Sequence, residues 1–556
     1  MSEWWRGGVI YQVYPRSFAD ADGDGIGDLA GIVGRIDHLR GAPESLGVDA
    51  LWLSPIYPSP LADFGYDVSD YTDVDPTFGT LADFDRLVDA AHRRGLRVLL
   101  DLIPGHTSVE HPWFVESRSS RDAARRDWYV WAEPAPDGGP PNNWLSVFGG
   151  SAWELDPASG QYYLHSFFPE QPDLNWRNPE ARGAFADVVR FWRARGVDGF
   201  RVDAIDRTIK DVGLRENPPA TGVFSPRLPE RMRQELRLWN KDRPEVLDVV
   251  RAIRRAAESG GPEGLLLVGE SYIPIERMGR YLGDRPGDAF DLVFDFDFLF
   301  AGWDAGRLRA SVDSAEALLP EHGWPCRALS SHDVSRHASR FGADANRAAA
   351  LLLLALRGTP VIYMGEEIGM ADVPPAEAAL DRSGRDASRS PMQWDATPGG
   401  GFSPAKPWLA LGDTEARNVA DQRDDPGSLL SLYRRVIRLR NESKAIGLGS
   451  QRTIDLPAET PALAFLRTAG PERVLVVVNV SGSPLELDLF AAARGRLPAR
   501  ARLRISTSGE RGNGVDVDLE ALELDPAEGL VIDVPSQARA AREVRHTSPL
   551  GGGVDR

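Results

Sequence analysis

The stretch Gly199-Phe200-Arg201-Val202-Asp203-Ala204-Ile205 reads as a short strand that carries charge where a buried strand should carry none. Apolar residues fall on both parities, as in a strand covered on both faces. Arg201 and Asp203 are two apart and so share one face, and charged side chains are almost never fully buried unless paired. Taken alone, the two make a structural ion pair. Three other strand-like runs change that reading, because each ends in an acidic residue or a His. They are Val98-Leu99-Leu100-Asp101, Leu266-Leu267-Val268-Gly269-Glu270 and Arg327-Ala328-Leu329-Ser330-Ser331-His332-Asp333. Several strands delivering polar groups at one end imply a parallel barrel whose C-terminal face collects them.

Working outward, strand-like segments at 8–14, 50–55, 97–103, 199–205, 265–271, 291–297, 326–333 and 359–365 alternate with helical patterns such as 81–94, 179–195, 244–258, 345–356 and 427–440. Eight such repeats predict an α/β protein built on a (β/α)8 barrel. An open doubly wound sheet leaves the strand-end carboxylates unexplained. The barrel is assigned to 1–103 and 177–450. Residues 104–176, rich in Trp, Pro, Gly and Asn, read as an inserted subdomain, and 206–243 as a smaller insertion. Loops this long in compact domains are usually functional walls or lids. From 451 to 536 the pattern becomes β, with runs at 462–467, 473–479, 485–489 and 501–506, which predicts a small antiparallel sandwich. Residues 537–556 read as a flexible tail.

With 556 residues, 42% hydrophobic and 26% charged, the composition is that of a globular protein of two or three domains. A formal net charge of −18 argues against nucleic acid and anionic membranes as partners. The single cysteine, Cys326, excludes an internal disulfide. The start Met1-Ser2-Glu3-Trp4-Trp5-Arg6 lacks the basic and apolar regions of a signal peptide. The expectation is a cytoplasmic monomer or homodimer with no membrane span.

A loop near the start has metal-ligand spacing. Asp20-Ala21-Asp22-Gly23-Asp24-Gly25-Ile26-Gly27-Asp28 places acidic residues at positions 1, 3, 5 and 9, with the Ile26 carbonyl at position 7. Alternate carboxylates on a turning backbone are how oxygen ligands converge on Ca²⁺ or Mg²⁺. Position 12 is Gly31, so the bidentate Glu of an EF-hand is absent. A structural cation on Asp20, Asp22, Asp24, Ile26 and Asp28 is expected, and no organic cofactor.

Asp101 with His106, Gly199–Asp203, Glu270, and His332 with Asp333 stand in the order of the signature regions of glycoside hydrolase family 13, the α-amylase family, which the chain resembles over residues 4–535. Within that family it resembles the bacterial α-glucosidases and their oligo-1,6-glucosidase and sucrose-hydrolase relatives. Supporting stretches are Ile10-Tyr11-Gln12-Val13-Tyr14-Pro15-Arg16-Ser17-Phe18, Asp63-Phe64-Gly65-Tyr66-Asp67-Val68, Gln171-Pro172-Asp173-Leu174-Asn175 and Arg389-Ser390-Pro391-Met392-Gln393-Trp394. The resemblance implies Asp203 as nucleophile, Glu270 as acid/base, and Asp333 as a third carboxylate that binds sugar hydroxyls beside His332. It implies that His106, Tyr66, Asp63 and Arg389 bind the same sugar, with Asp101 supporting from beneath.

Residue types lead the same way. Retaining hydrolysis needs two carboxyl groups about 5–5.5 Å apart, one to attack and one to give a proton. Arg201 beside Asp203 favours its ionised form, and the apolar strand before Glu270 favours a protonated one. Phe148 and Phe167 are expected to shape the side occupied by the second sugar unit. Two positions depart from the family: Gly105 stands where amylases carry a calcium-binding Asn, and Ser331 replaces an Asn before His332.

The reaction implied is exo-cleavage of short α-glucosides such as maltose and sucrose. Transfer of the glucosyl unit to a sugar acceptor uses the same intermediate and stays open. A non-catalytic binding subunit is disfavoured because all three carboxylates are kept. In the resembling glucosidases, Val after the nucleophile goes with α-1,6 bonds and smaller residues or Thr with α-1,4 bonds. Ala204 at this position points to maltose or sucrose over isomaltose.

Overall fold

The computed structural model describes residues 3–219, 238–259, 264–375, 379–509, 511–512 and 514–535. Eight parallel strands close into a barrel: β1 (Ile10–Val13), β2 (Ala50–Leu53), β3 (Arg97–Leu102), β4 (Gly199–Val202), β5 (Leu266–Gly269), β6 (Leu292–Phe294), β7 (Pro325–Ala328) and β8 (Thr359–Tyr363). Each pairs with its neighbours in chain order, and β8 pairs back onto β1. Every expected segment contains a strand, and every strand is shorter than expected. The loss falls mainly at the C-terminal ends, where the chain bends out of the ladder. β4 stops at Val202, and two residues later Ala204 turns through φ 39° and ψ 40°. β7 stops at Ala328, so His332 and Asp333 lie on irregular chain beyond it.

Alternation divides the strand residues between two layers. Ile10, Trp52, Leu99, Val268, Leu292 and Val361 fill the barrel interior. Tyr11, Leu51, Leu100, Phe200, Leu267 and Ile362 face the surrounding helices. The helices start where the sequence offers caps. Thr80 and Asp83 form a capping box at Leu81–Arg93, and Asn178 caps Pro179–Ala194 with Pro in the first turn.

Between β3 and β4 the chain builds the helix Pro112–Ser119 and a three-stranded antiparallel sheet of Trp131–Ala132, Gln161–Leu164 and Trp153–Asp156. Trp144, Trp153, Tyr162 and Leu164 give it a core of its own. The segment after β4 leans on this unit through Trp144 Nε1, which donates to Arg215 O at 2.8 Å. Part of the second expected insertion, residues 220–237, lies outside the described residues, as do 536–556, which take in the whole expected tail. The C-terminal region is a six-stranded antiparallel sheet with a two-stranded partner. Four of its eight strands escape the sequence pattern: Ser450–Thr453, Asp516–Asp518, Leu522–Leu524 and Gly529–Asp533. Three of these are only three or four residues long, too short for alternation to register. Among the described residues no helix is long and apolar enough to cross a membrane.

One junction bears on the calcium that amylases hold. Gly105 offers no side chain, and the charge of Asp173 nearby is met by Lys210, whose Nζ lies 2.5 Å from Asp173 Oδ2 with both side chains buried. Ser166 also donates to Asp173 from N and Oγ. The junction therefore has an internal cation, and its residues do not call for a metal.

Two changes test this packing. A Cβ on Gly199 would meet Leu266 O at 2.4 Å and Leu99 Cδ2 at 2.8 Å. Gly199→Ala is expected to cost about 1–3 kcal/mol by overpacking, read as a lower denaturation midpoint. Lys210→Met leaves Asp173 as an uncompensated buried charge, a loss of about 3–5 kcal/mol. Adding Asp173→Asn to that variant should restore part of the stability, and failure to do so would contradict the pairing.

Candidate active site

Arg201 sits in β4 with 3% of its side chain exposed. Its Nη1 lies 2.7 Å from Asp203 Oδ1 and 3.3 Å from Asp101 Oδ1, and its Nη2 lies 2.6 Å from Glu270 Oε1. One guanidinium thus faces three carboxyl groups from three adjacent strands. Register brings them together, since Asp101 is opposite Arg201 across the β3–β4 pair and Glu270 directly follows β5.

Burial raises both Asp203 and Glu270 above the ordinary carboxylate range, with Arg201 opposing it at each and mutual repulsion adding to it at Glu270. Glu270 is raised further, and a hydrogen bond from Glu270 favours the ionised form of Asp203. The sequence expectation that Arg201 favours charge on Asp203 holds in direction, but burial outweighs it. Arg201 also touches Glu270, so it does not distinguish the two. The proton stays on Glu270 because that site is the more hostile to charge.

Asp101 is fully buried and accepts from Trp52 Nε1 at 3.0 Å and Tyr66 Oη at 2.7 Å. Burial lifts it to about 6. Tyr66 Oη also meets His332 Nε2 at 2.6 Å, the two rings stack 5.4 Å apart, and His332 Nδ1 meets Gln12 Nε2 at 2.7 Å. Burial pushes His332 down to about 3, so it is neutral at physiological pH. Burial would raise Asp333, but His332, Arg385, Arg389 and Arg201 outweigh it and hold it well below the usual range. With His332 neutral, the arginines carry that effect. Arg385 Nη1 donates at 3.0 Å and Arg389 Nη2 at 3.2 Å.

These groups face a cavity of about 270 Å³. Its polar lining includes Asp63, His106, Asp203, Glu270, Asp333 and Arg385. Its apolar lining includes Val147, Phe148, Phe167, Ala204, Tyr272, Phe300 and Val334. Eight of the expected site residues therefore line one space: Asp203, Glu270, Asp333, Asp63, Tyr66, His106, Phe148 and Phe167. Arg201 and His332 lie beneath it around a smaller void. Arg389 is fully buried behind Asp333, with Nε donating to the His332 carbonyl at 2.8 Å, outside the cavity wall. Arg385 takes the wall position instead. It bonds Asp63, Asp381 and Asp333.

Arg385, Gln171 and Tyr272 were not singled out from sequence. Gln171 Nε2 donates to Asp63 Oδ2 at 3.0 Å and meets His106 Nε2 at 3.0 Å. Tyr272 follows Glu270 by two residues, a spacing that flags it. Nothing in the sequence selects Arg385 over Arg382 or Arg389 as the partner of Asp63.

The Asp20–Asp28 loop follows β1. Carboxylate oxygens of Asp20, Asp22 and Asp28 lie within 4.8 Å of one another. Asp24 is not in that group, and its Oδ1 accepts from Ile26 N at 2.7 Å. The Asp24 amide holds Asp22 down, yet burial and the neighbouring carboxylates push its pKa up. Three crowded carboxylates suit a hard cation.

The alpha amylase catalytic-domain profile matches residues 12–449. A probable alpha-glucosidase of Rhizobium meliloti (strain 1021) is 45% identical over 511 residues, 88% of this chain and 91% of that protein. An oligo-1,6-glucosidase of Heyndrickxia coagulans is 36% identical over 539 residues, 88% of this chain and 94% of that protein. The solved structure of an alpha-glucosyl transfer enzyme, XgtA, matches with a TM-score of 0.87 at 40% identity, over 96% of this chain and all of that one. With an eight-stranded barrel, a carboxylate-lined cavity and relatives along most of its length, the chain belongs to the α-amylase family and is a glycoside hydrolase of that family.

Proposed function

We propose that the protein is a retaining, exo-acting α-glucosidase that cleaves maltose, sucrose and small oligosaccharides, with Asp203 as nucleophile and Glu270 as acid/base. The observation that carries this reading is the pair of buried carboxyl groups held on one guanidinium at the floor of the cavity. Asp203 attacks the anomeric carbon while Glu270 gives its proton to the departing glycosidic oxygen. A β-glucosyl ester on Asp203 results. Glu270, now ionised, takes a proton from water, and the water oxygen displaces Asp203. Two inversions retain the α configuration.

Asp333, kept ionised by its arginines, accepts hydrogen bonds from ring hydroxyls. His106 Nδ1 is buried without a partner among the described residues and is free to meet a sugar hydroxyl. The Asp63–Arg385 pair joins the loop after β2 to the loop after β8, and Arg382 meets Glu170 at 3.0 Å across the rim. That wall supports removal of a terminal glucose rather than cleavage within a polymer. The volume supports it too, since pockets for larger ligands run roughly 300–1,000 Å³. Ala204 keeps the space beside Asp203 small-walled, which favours α-1,4 linkages and sucrose over isomaltose by about 10–200-fold at most. The similarity to an alpha-glucosyl transfer enzyme and the apolar wall of Tyr272, Phe300 and Val334 favour a second reading, in which a sugar replaces water as acceptor.

Asp203→Asn is expected to abolish turnover without unfolding the protein. Glu270→Gln should impair maltose and sucrose far more than aryl α-glucosides whose leaving group departs unaided. NMR should detect α-glucose first, and β-glucose would overturn the assignment. Product analysis in concentrated maltose or sucrose separates hydrolysis from transfer.

The pH profile follows from the raised pKa values. Asp203 must be ionised, so activity rises with pH through an acid limb above the ordinary Asp value of about 3.9. Glu270 must be protonated, so activity falls as pH rises through its higher value. With an aryl α-glucoside, Glu270→Gln should lose the alkaline limb and keep the acid one.

The reading includes a structural Ca²⁺ or Mg²⁺ held by Asp20, Asp22 and Asp28, with Asp24 and the Ile26 carbonyl closing on it. A cation at a hundredfold excess over Kd stabilises the fold by about 2.7 kcal/mol. Chelation should lower the melting temperature, and an unchanged temperature with no metal by elemental analysis would contradict it.

A further inference from the structure

β4 does more than deliver Asp203. Past Val202 the chain turns through Ala204, at φ 39° and ψ 40°, a left-handed conformation that is costly for a residue with a Cβ. Two amides at this turn point to Glu270. Ala204 N–H donates to Glu270 Oε2 at 3.1 Å in a buried setting. Ile205 N–H donates to the Glu270 carbonyl at 3.2 Å. Glu270 N–H in turn donates to Val202 O at 2.9 Å. Glu270 is thus held by side chain and backbone to the residues that flank Asp203, and its other carboxylate oxygen lies on Arg201.

We propose that the Ala204 amide is a positioning donor for Glu270. This N–H, at the entry to the left-handed turn, points at Oε2, fixes the carboxyl beside Asp203, and favours its ionised form when it must act as base. The proposal rests on the acid/base reading of Glu270. The group that acts is the backbone amide, so the side chain at 204 remains free to set the space for the aglycone.

The direct test replaces the amide. L-lactate at position 204 puts an ester oxygen where the N–H stands and keeps the methyl side chain. The expected result is an alkaline limb of kcat/KM for maltose shifted upward by about one pH unit, a tenfold change in proton affinity. The acid limb should stay in place, and kcat should fall with little change in KM. The hydroxy-acid analogue of Ile at 205 removes the other amide and should leave the limb unmoved, as should Ala204→Gly, which keeps the N–H.

An alkaline limb that stays in place in the ester variant overturns the proposal. If that variant fails to fold, alanine-selective ¹⁵N labelling supplies the readout, with Ala204→Gly identifying the peak. The Ala204 amide must then titrate along the alkaline limb and lose that titration in Glu270→Gln, and a peak indifferent to pH overturns the role. Loss of maltose turnover in Glu270→Gln with no limb shift in the ester variant removes the positioning role alone. Full turnover of maltose in Glu270→Gln removes the acid/base reading beneath it.

Discussion

The site depends on a shortage of positive charge around Arg201. One guanidinium faces Asp101, Asp203 and Glu270, all buried. Two like charges about 4 Å apart repel by about 4 kcal/mol at an effective dielectric near 20, which is on the order of three pH units of proton affinity. Three full negative charges on one guanidinium are therefore not sustained, and a proton must remain. It remains on the group least able to carry charge, Glu270. The arrangement that holds the carboxyls together thus also keeps a proton among them, as the proposed acid role of Glu270 requires.

Asp333 follows the opposite logic within the same cavity. Arg385 and Arg389 both reach its Oδ1, so it stays ionised where Glu270 does not. The fold separates these two environments by strand. Asp203 and Glu270 come from neighbours β4 and β5, whereas Asp333 follows β7 and receives its arginines from the loop after β8. The insertion after β3 and the loop after β8 then close the rim through Glu170 and Arg382.

Much of this was legible in the sequence. The eight strands announce themselves because buried parallel strands are continuous apolar runs bounded by turns. The carboxyls of the cavity stand out because each interrupts or ends such a run. What escaped notice follows a physical pattern too. Arg385 reaches Asp63 across more than 300 residues through loop packing, and no local spacing encodes that contact. The bend at Ala204 occurs at a residue with no special propensity for it, because the surrounding contacts impose it. Short C-terminal strands such as Asp516–Asp518 and Leu522–Leu524 exist only through their partners. Arg389 drew attention from sequence in place of Arg385, because residue type alone does not say which of two nearby arginines faces the cavity.

The central claim is that Asp203 carries the glucosyl unit between the two half-reactions. Glu270→Gln exposed to an aryl α-glucoside and quenched in acid should trap that ester, since the acid is not needed for the first step and the base is missing for the second. Peptide mass spectrometry should then find the fragment containing Asp203 heavier by one anhydroglucose unit, with the modification on Asp203 itself. An unmodified fragment during steady turnover, or the sugar on another carboxylate, would contradict the account.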